Sequence, residues 1–226
     1  MFRFLARSLA MLSVLLPLGR GVACNTSSAA VAIPNPNVDN PLSPAKGQET
    51  AVLAGGCFWG IQALFEHVKG VIRATSGYAG GAANTAQYEK VSTGRTGHAE
   101  SVQVIYDPSQ ITFGQILKVF FSVAHDPTQL NQQGPDSGTQ YRSAIFFASE
   151  DQKRISQAYI EQLSESKVFK QPIVTQIVPL VAFYPAEDYH QDYVVHHPEN
   201  MYIVINDLPK VDNLKKQFPA LFVEKR

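Results

Sequence analysis

The order of short apolar runs and helix-periodic segments between residues 51 and 183 constrains this chain more than any other feature. Ala51-Val52-Leu53-Ala54 is a brief apolar run ending at Gly55-Gly56, as a buried strand does on entering a tight turn. Ile61, Leu64, Phe65 and Val68 then fall at i, i+3, i+4 and i+7, the spacing of an amphipathic helix. Val71 to Ser76 reads as a strand, followed by the Gly-rich loop SGYAGGAANTAQYEKVSTGRTGHAE. Val102, Val104 and Tyr106 alternate with Gln103 and Ile105, giving a strand stopped by Asp107-Pro108. Thr112 with Gln115 forms a candidate capping box before a helix carrying Phe113, Ile116, Leu117 and Phe120. The polar loop HDPTQLNQQGPDSGTQ leads to the strand RSAIFFA. Ser149 and Gln152 then cap a helix bearing Ile155, Tyr159 and Leu163. Ile173 to Phe183 is β-branched and gives two strands around Pro179. This is a mixed α/β order, best satisfied by helices packed on one mixed sheet.

A chain of 226 residues, 45% hydrophobic and 17% charged, suffices for one well-cored domain and hardly for two. Lys plus Arg and Asp plus Glu each total 19, so no electrostatic case exists for nucleic-acid or anionic-membrane binding. Two cysteines exclude a disulfide scaffold and a multi-Cys zinc module, and scattered His residues give no metal site. Residues 1–23 have the layout of a secretory signal peptide: Arg3 and Arg7, the apolar run SLAMLSVLLPL, then small residues. Val22-Ala23-Cys24 is similar to the end of a bacterial lipoprotein signal. Export is therefore expected, to the periplasm or to a membrane anchor through Cys24. Residues 24–49, rich in Ser, Asn and Pro, read as a flexible tether, and the compact domain is expected over 50–226.

The stretch GGCFWG at 55–60 sets Cys57 at or just before a helix N-terminus. There partial positive charge and unpaired N–H groups favour the thiolate, the nucleophilic form. The flanking glycines let backbone approach a ligand closely, and Phe58 and Trp59 would wall an apolar pocket beside the sulfur. The alternative is a small buried hydrophobe backed by core aromatics. Glu100, in GHAE, is a candidate general acid if desolvation raises its pKa. Tyr88 and Tyr141 lie in loop or loop-edge sequence, where their hydroxyls can donate to a polar oxygen. Singly, each reads as a packing residue. Asp136 reads as a turn former and His190 as a structural histidine.

In family order, GCFWG (56–60), SGYAGG (76–81), Tyr88 through GHAE, YDP (106–108), HDPTQ (125–129), GTQYRSAIF (138–146) and FYPAEDYHQDY (183–193) resemble the peptide-methionine (S)-S-oxide reductases. The resemblance spans roughly residues 50 to 210. It implies an α+β two-layer sandwich, a mixed sheet with a ferredoxin-like core. It also implies Cys57 as nucleophile, Glu100 as proton donor to the sulfoxide oxygen, and Tyr88 and Tyr141 as hydroxyls bonding that oxygen. Phe58 and Trp59 would hold the substrate methyl, with Asp136 and His190 as further substrate-binding positions. The implied substrates are oxidised proteins and free methionine sulfoxide of the S configuration, reduced through a Cys57 sulfenic acid to repair oxidised proteins. No bound cofactor is implied.

Many relatives in that family carry resolving cysteines near the C-terminus, whereas residues 196–226 contain none. The expected reductant is therefore an external thiol: thioredoxin, glutaredoxin or a small-molecule thiol. An uncleaved Cys24 reaching Cys57 is the alternative, since closing such a loop costs only a few kcal/mol. The single-Cys form is favoured, as a monomer. The rival readings are a Cys-dependent hydrolase pairing Cys57 with His190 or His197, and a module that binds oxidised methionine without turnover. Neither accounts for Glu100 together with both tyrosines.

Overall fold

Strand β1 (Glu49–Ala54) is apolar on both faces, and that places it at the centre of the sheet. In the computed structural model, which describes residues 30–224, Ala51 and Leu53 face one core while Val52 and Ala54 face another. All four are at most 1% exposed, so the unbroken run AVLA is a strand buried on both sides. In chain order follow α1 (Phe58–Glu66), β2 (Val71–Ala79), α2 (Tyr88–Val91), β3 (Ala99–Tyr106) and α3 (Phe113–Val119). Next come β4 (Gln132–Gln133), β5 (Asp136–Ser137), β6 (Ala144–Phe147), α4 (Glu150–Glu165), β7 (Gln176–Pro179) and β8 (Phe183–Pro185). The chain closes with α5 (Tyr193–His196) and α6 (Leu208–Gln217).

Six strands form one sheet in the order β7-β6-β1-β3-β2-β8, antiparallel except for the parallel β6–β7 pair. Its inner four, β6-β1-β3-β2, with α1 and α3 as crossovers, make the ferredoxin-like βαββαβ core expected from the resemblance. The helices cover one sheet face. Ile61, Leu64 and Phe65 of α1 are fully buried there with Ile116 and Leu117 of α3 and Ile155 and Leu163 of α4. Each such side chain stabilises the fold by about 1.5–3 kcal/mol. The capping box at Thr112 forms as read, and the Ser149 hydroxyl accepts the Gln152 N–H at the start of α4. His125 is buried beneath Gly55, its ring nitrogens on Phe120 O and the Ser143 hydroxyl, and burial holds its pKa down at about 4. In the same HDPTQ stretch the Asp126 carboxylate accepts the Thr128 N–H, the Thr128 hydroxyl and a Gln129 amide N–H.

Two sequence expectations need correction. Within the described part of the expected tether, residues 30–48 are not a tether but a strap. Ile33 is buried, Val31 N–H donates to Ser122 O, and the Tyr159 hydroxyl donates to Pro34 O. Asp39 accepts from Gly114 N–H and the Thr112 hydroxyl at the start of α3. With the bonds of Val31 O, Asn35 O, Asn37 N–H and Ser43 N–H added, main-chain groups make most of the strap's bonds, so no apolar periodicity announces them. The second correction is at Pro179, which ends β7, while β8 starts only at Phe183. The signal-peptide reading and Cys24 lie outside the described residues.

Candidate active site

Cys57 is the N-cap residue of α1, as its sequence position suggests. Gly56 turns the chain into the helix with φ +104°, and a Cβ there would sit 2.6 Å from Gln133 Cγ. A Cβ on Gly60 would sit 2.1 Å from Asp207 Oδ1. The two glycines of GCFWG therefore make room for the protein's own polar side chains, not for a ligand's approach to the backbone.

Glu100 enters at the start of β3, its register opposite Tyr78 on β2. It is 2% exposed, and Oε2 accepts the Phe58 N–H at 3.2 Å, satisfying one free donor of the α1 N-terminus. Burial pushes its pKa up to about 8; the Phe58 N–H opposes the shift, and Asp136 and Asp207 add to it. Glu100 is thus mostly a neutral acid at neutral pH, as the sequence reading required. Cys57 is half-buried. Burial raises its pKa well above the ordinary thiol value, with Glu100 and then Asp207 adding to the rise. The Trp59 N–H bonded to its sulfur and Lys210 work against it.

Tyr88 begins α2, where its N–H donates to Glu187 Oε1 at 2.9 Å; Glu187 Oε2 accepts the Tyr78 hydroxyl at 2.8 Å. Tyr141 ends a short turn after the β4–β5 ladder. Burial raises the pKa of both phenols, and Glu100 and Cys57 lie close enough to raise each further. The fold thus brings Cys57, Glu100, Tyr88 and Tyr141 together from four separate segments. Asp136 joins them by lining, with Cys57, Gln133, Tyr202 and Lys210, a cavity of about 20 Å³, room for roughly one water. It accepts the Tyr202 hydroxyl.

The aromatic residues behave differently from one another. Phe58 is 1% exposed and packs on Tyr78 and His190. Trp59 is half-buried, stacked on Tyr193 with centroids 3.7 Å apart and meeting Tyr202 edge-on. His190 packs its ring against Phe58 and Tyr88. Its Nδ1 accepts the Trp59 indole N–H at 3.1 Å, so it positions Trp59. Burial lowers the His190 pKa, leaving a neutral imidazole whose proton sits on Nε2. Sequence reasoning missed Glu187, Tyr202, Asp207 and Lys210. Asp207, with Pro209 two residues on, is a helix-start signal that was available. Among the described residues no group of three His, Cys, Asp or Glu could hold a metal.

A half-buried thiol at a helix N-terminus, facing a neutral buried carboxyl and two phenols, defines a cysteine-dependent redox site. The sequence model of the family described as peptide methionine sulfoxide reductase matches residues 49–221, and the chain belongs to that family as an oxidoreductase. It is 63% identical over 181 residues to peptide methionine sulfoxide reductase MsrA 2 of Mesorhizobium japonicum, covering 80% of this chain and 93% of that one. The MsrA 2 protein of Synechocystis is 54% identical over 188 residues, with 82% and 88% covered. Among solved structures, reduced Mxr1 from Saccharomyces cerevisiae matches with a TM-score of 0.61 at 35% identity, covering 73% of this chain and 92% of that one. Methionine sulfoxide reductase A of Corynebacterium diphtheriae matches at 0.59 and 37% identity, with 75% and 88% covered.

Proposed function

We infer that this protein reduces the S epimer of methionine sulfoxide, in oxidised proteins and as the free amino acid, and so repairs oxidised proteins. The observation that carries this reading is Glu100, a carboxyl kept neutral by burial and tied to the first N–H of the helix that Cys57 caps. The Cys57 sulfur attacks the sulfoxide sulfur while Glu100 gives its proton to the oxygen, and the hydroxyls of Tyr88 and Tyr141 hold that oxygen. Oxygen passes to Cys57, giving a sulfenic acid and methionine: thiol plus sulfoxide becomes sulfenic acid plus thioether. Trp59 supplies the apolar surface for the substrate methyl and is held for that task by His190 and Tyr193, with the buried Phe58 packed behind it. Asp136, bonded to Tyr202, borders the substrate side chain.

The catalytic cycle closes with an external thiol. A first thiol displaces water from the sulfenic acid to give a mixed disulfide, and a second releases Cys57 and leaves as the disulfide. Thioredoxin, glutaredoxin or a small-molecule thiol fits this chemistry, because Cys57 is the one cysteine of residues 25–226. Residues 1–24 support export of the protein. Mass spectrometry of its N-terminus from separated cell fractions tests that, and an unprocessed Met1 in the cytosol would remove the support.

The decisive experiment follows turnover of S and R methionine-sulfoxide peptides with excess dithiothreitol by wild type and Cys57→Ser. Reduction confined to S and lost in the variant is the expected result. Retained turnover in Cys57→Ser would overturn the assignment of the nucleophile.

A further inference from the structure

The buried ion pair Asp207–Lys210 has no part in the mechanism above, yet it lies beside the reactive sulfur. A π-helical turn over Ile203–Asp207 leads directly into α6 and carries Asp207 inward until it is fully buried. Such turns are rare and concentrate at functional sites. Lys210, 6% exposed, donates to Asp207 Oδ1 at 2.8 Å and to Asn206 O at 2.6 Å. An ammonium has three N–H donors, so one remains after these two bonds. Lys210 lines the same cavity as Cys57. The second oxygen of Asp207 is buried with no hydrogen-bond partner among the described residues.

Gly60 explains how the pair comes so close. It lies in the first turn of α1, and a Cβ there would meet Asp207 Oδ1 at 2.1 Å and Lys210 Nζ at 2.9 Å. Almost fully buried and pressed on the helix that Cys57 caps, the ammonium acts in a medium of lower dielectric than bulk water, where charge interacts more strongly. A pair needed for stability alone gains little from being buried.

We propose that the Lys210 ammonium, held beside Gly60 by Asp207 and Asn206 O, is the electrostatic anchor for the Cys57 sulfur, acting against the carboxylate that holds it. Asp207 fixes the ammonium at the cavity, and the ammonium stabilises negative charge on the sulfur, as thiolate before oxygen transfer and as sulfenate after it. Lys210 is thus a positioning residue of the reaction. The proposal rests on Cys57 being the nucleophile. The groups that face Cys57 are Glu100 from β3, Asp207 and Lys210 from the α6 start, and the phenols of Tyr88, Tyr141 and Tyr202, with Asp136 on the same cavity. Lys210 is the single cation among these named groups, so its removal has a defined sign.

Cys57 alkylation by iodoacetamide, read by peptide mass spectrometry across pH, tests this in wild type, Lys210→Met and Asp207→Asn. Loss of the cation should raise the alkylation midpoint by about one pH unit, a roughly tenfold loss of thiolate at a given lower pH. Asp207→Asn removes a carboxylate that opposes the thiolate, and should lower the midpoint. Shifts of opposite sign are the expected result, because a merely loosened site moves both variants the same way. An unchanged midpoint in folded Lys210→Met, or a common direction in both variants, overturns the proposal. If Lys210→Met gives no folded protein, Lys210→Gln takes its place, keeping two N–H donors for Asp207 and Asn206 O without the charge: a raised midpoint supports the proposal, and an unchanged one overturns it. The separate reading of Cys57 as nucleophile fails only if Cys57→Ser still turns over.

Discussion

Glu100 and Asp207 are both buried carboxyls near Cys57, and the two regions that hold them differ in kind. Glu100 stands on β3, a strand paired with both β1 and β2 and matched there to Tyr78 of β2, and its bonded partner is the uncharged Phe58 N–H. Asp207 stands on an irregular turn and is bonded to the Lys210 ammonium. Burial pushes both pKa values up; only at Asp207 does a cation push back. Regular sheet plus an uncharged donor yields a proton-bearing acid, while an irregular turn plus a cation yields a fixed charge pair. The presence of a partner cation, more than burial itself, separates the two roles.

The comparison breaks most severely if Glu100 is not the acid. We expect Glu100→Gln to lower kcat/KM by about 10²–10⁴, the range for a positioned general acid. Because the folded pKa is raised to about 8, the protonated form is present at lower pH and is lost as pH rises through about 8. Because the Cys57 thiolate grows with pH over the same range, the wild-type rate should rise up to about pH 8 and level off there. Stability follows the protonated acid: the contribution is fully present below the unfolded value of 4.5 and lost as pH rises through about 8. Activity profiles and urea denaturation at several pH values check both: in Glu100→Gln the break in rate near pH 8 should vanish, the rate rising on with the thiolate, and the pH dependence of stability should flatten. A wild-type rate still rising beyond pH 9 would remove Glu100 from its role.

The next effect is on the pair's seat. Gly to Ala inside a helix normally stabilises by about 1 kcal/mol. At Gly60 the added methyl meets Asp207 Oδ1 at 2.1 Å, inside a packed site. We expect Gly60→Ala to reverse the sign and destabilise by about 1–3 kcal/mol, with the pair displaced. Thermal or urea unfolding measures it, and a stabilised Gly60→Ala would show that the pair yields freely.

The same contrast explains what the amino-acid sequence disclosed. Strand β1, helices α1, α3 and α4, and the Thr112 cap were legible because each buries an apolar stripe or satisfies helix N–H groups locally. Cys57, Glu100, Tyr88 and Tyr141 were legible through the ordered motifs around them, although no spacing of their own brings them together. The burial of the ion pair at the start of α6 was not. Asp207 and Lys210 are an i, i+3 pair, like Glu150–Lys153 and Asp151–Arg154, which both lie open to solvent. Sequence spacing cannot tell the buried pair from the two exposed ones; only packing against Gly60 does. The strap was hidden for a related reason. Its contacts are made largely by main-chain groups, which every sequence carries.

Asp39 gives that strap a side-chain latch, and the smallest effect is expected there. Its carboxylate accepts the Gly114 N–H at 3.0 Å and the Thr112 hydroxyl, adding an anion at the positive end of α3. Thr112 already satisfies the Gln115 N–H, so Asp39→Ala leaves the capping box intact and frees one N–H beside it. The loss should be about 1 kcal/mol, as for a single N-cap, or a fall in Tm of about 2–4 °C for a domain of this size. Turnover at 25 °C should stay at the wild-type level, because the latch lies on α3 and no contact of Asp39 reaches the cavity lining. A loss of activity out of proportion to the change in Tm would mean that the strap bears on the site, joining two regions that are here held to be independent.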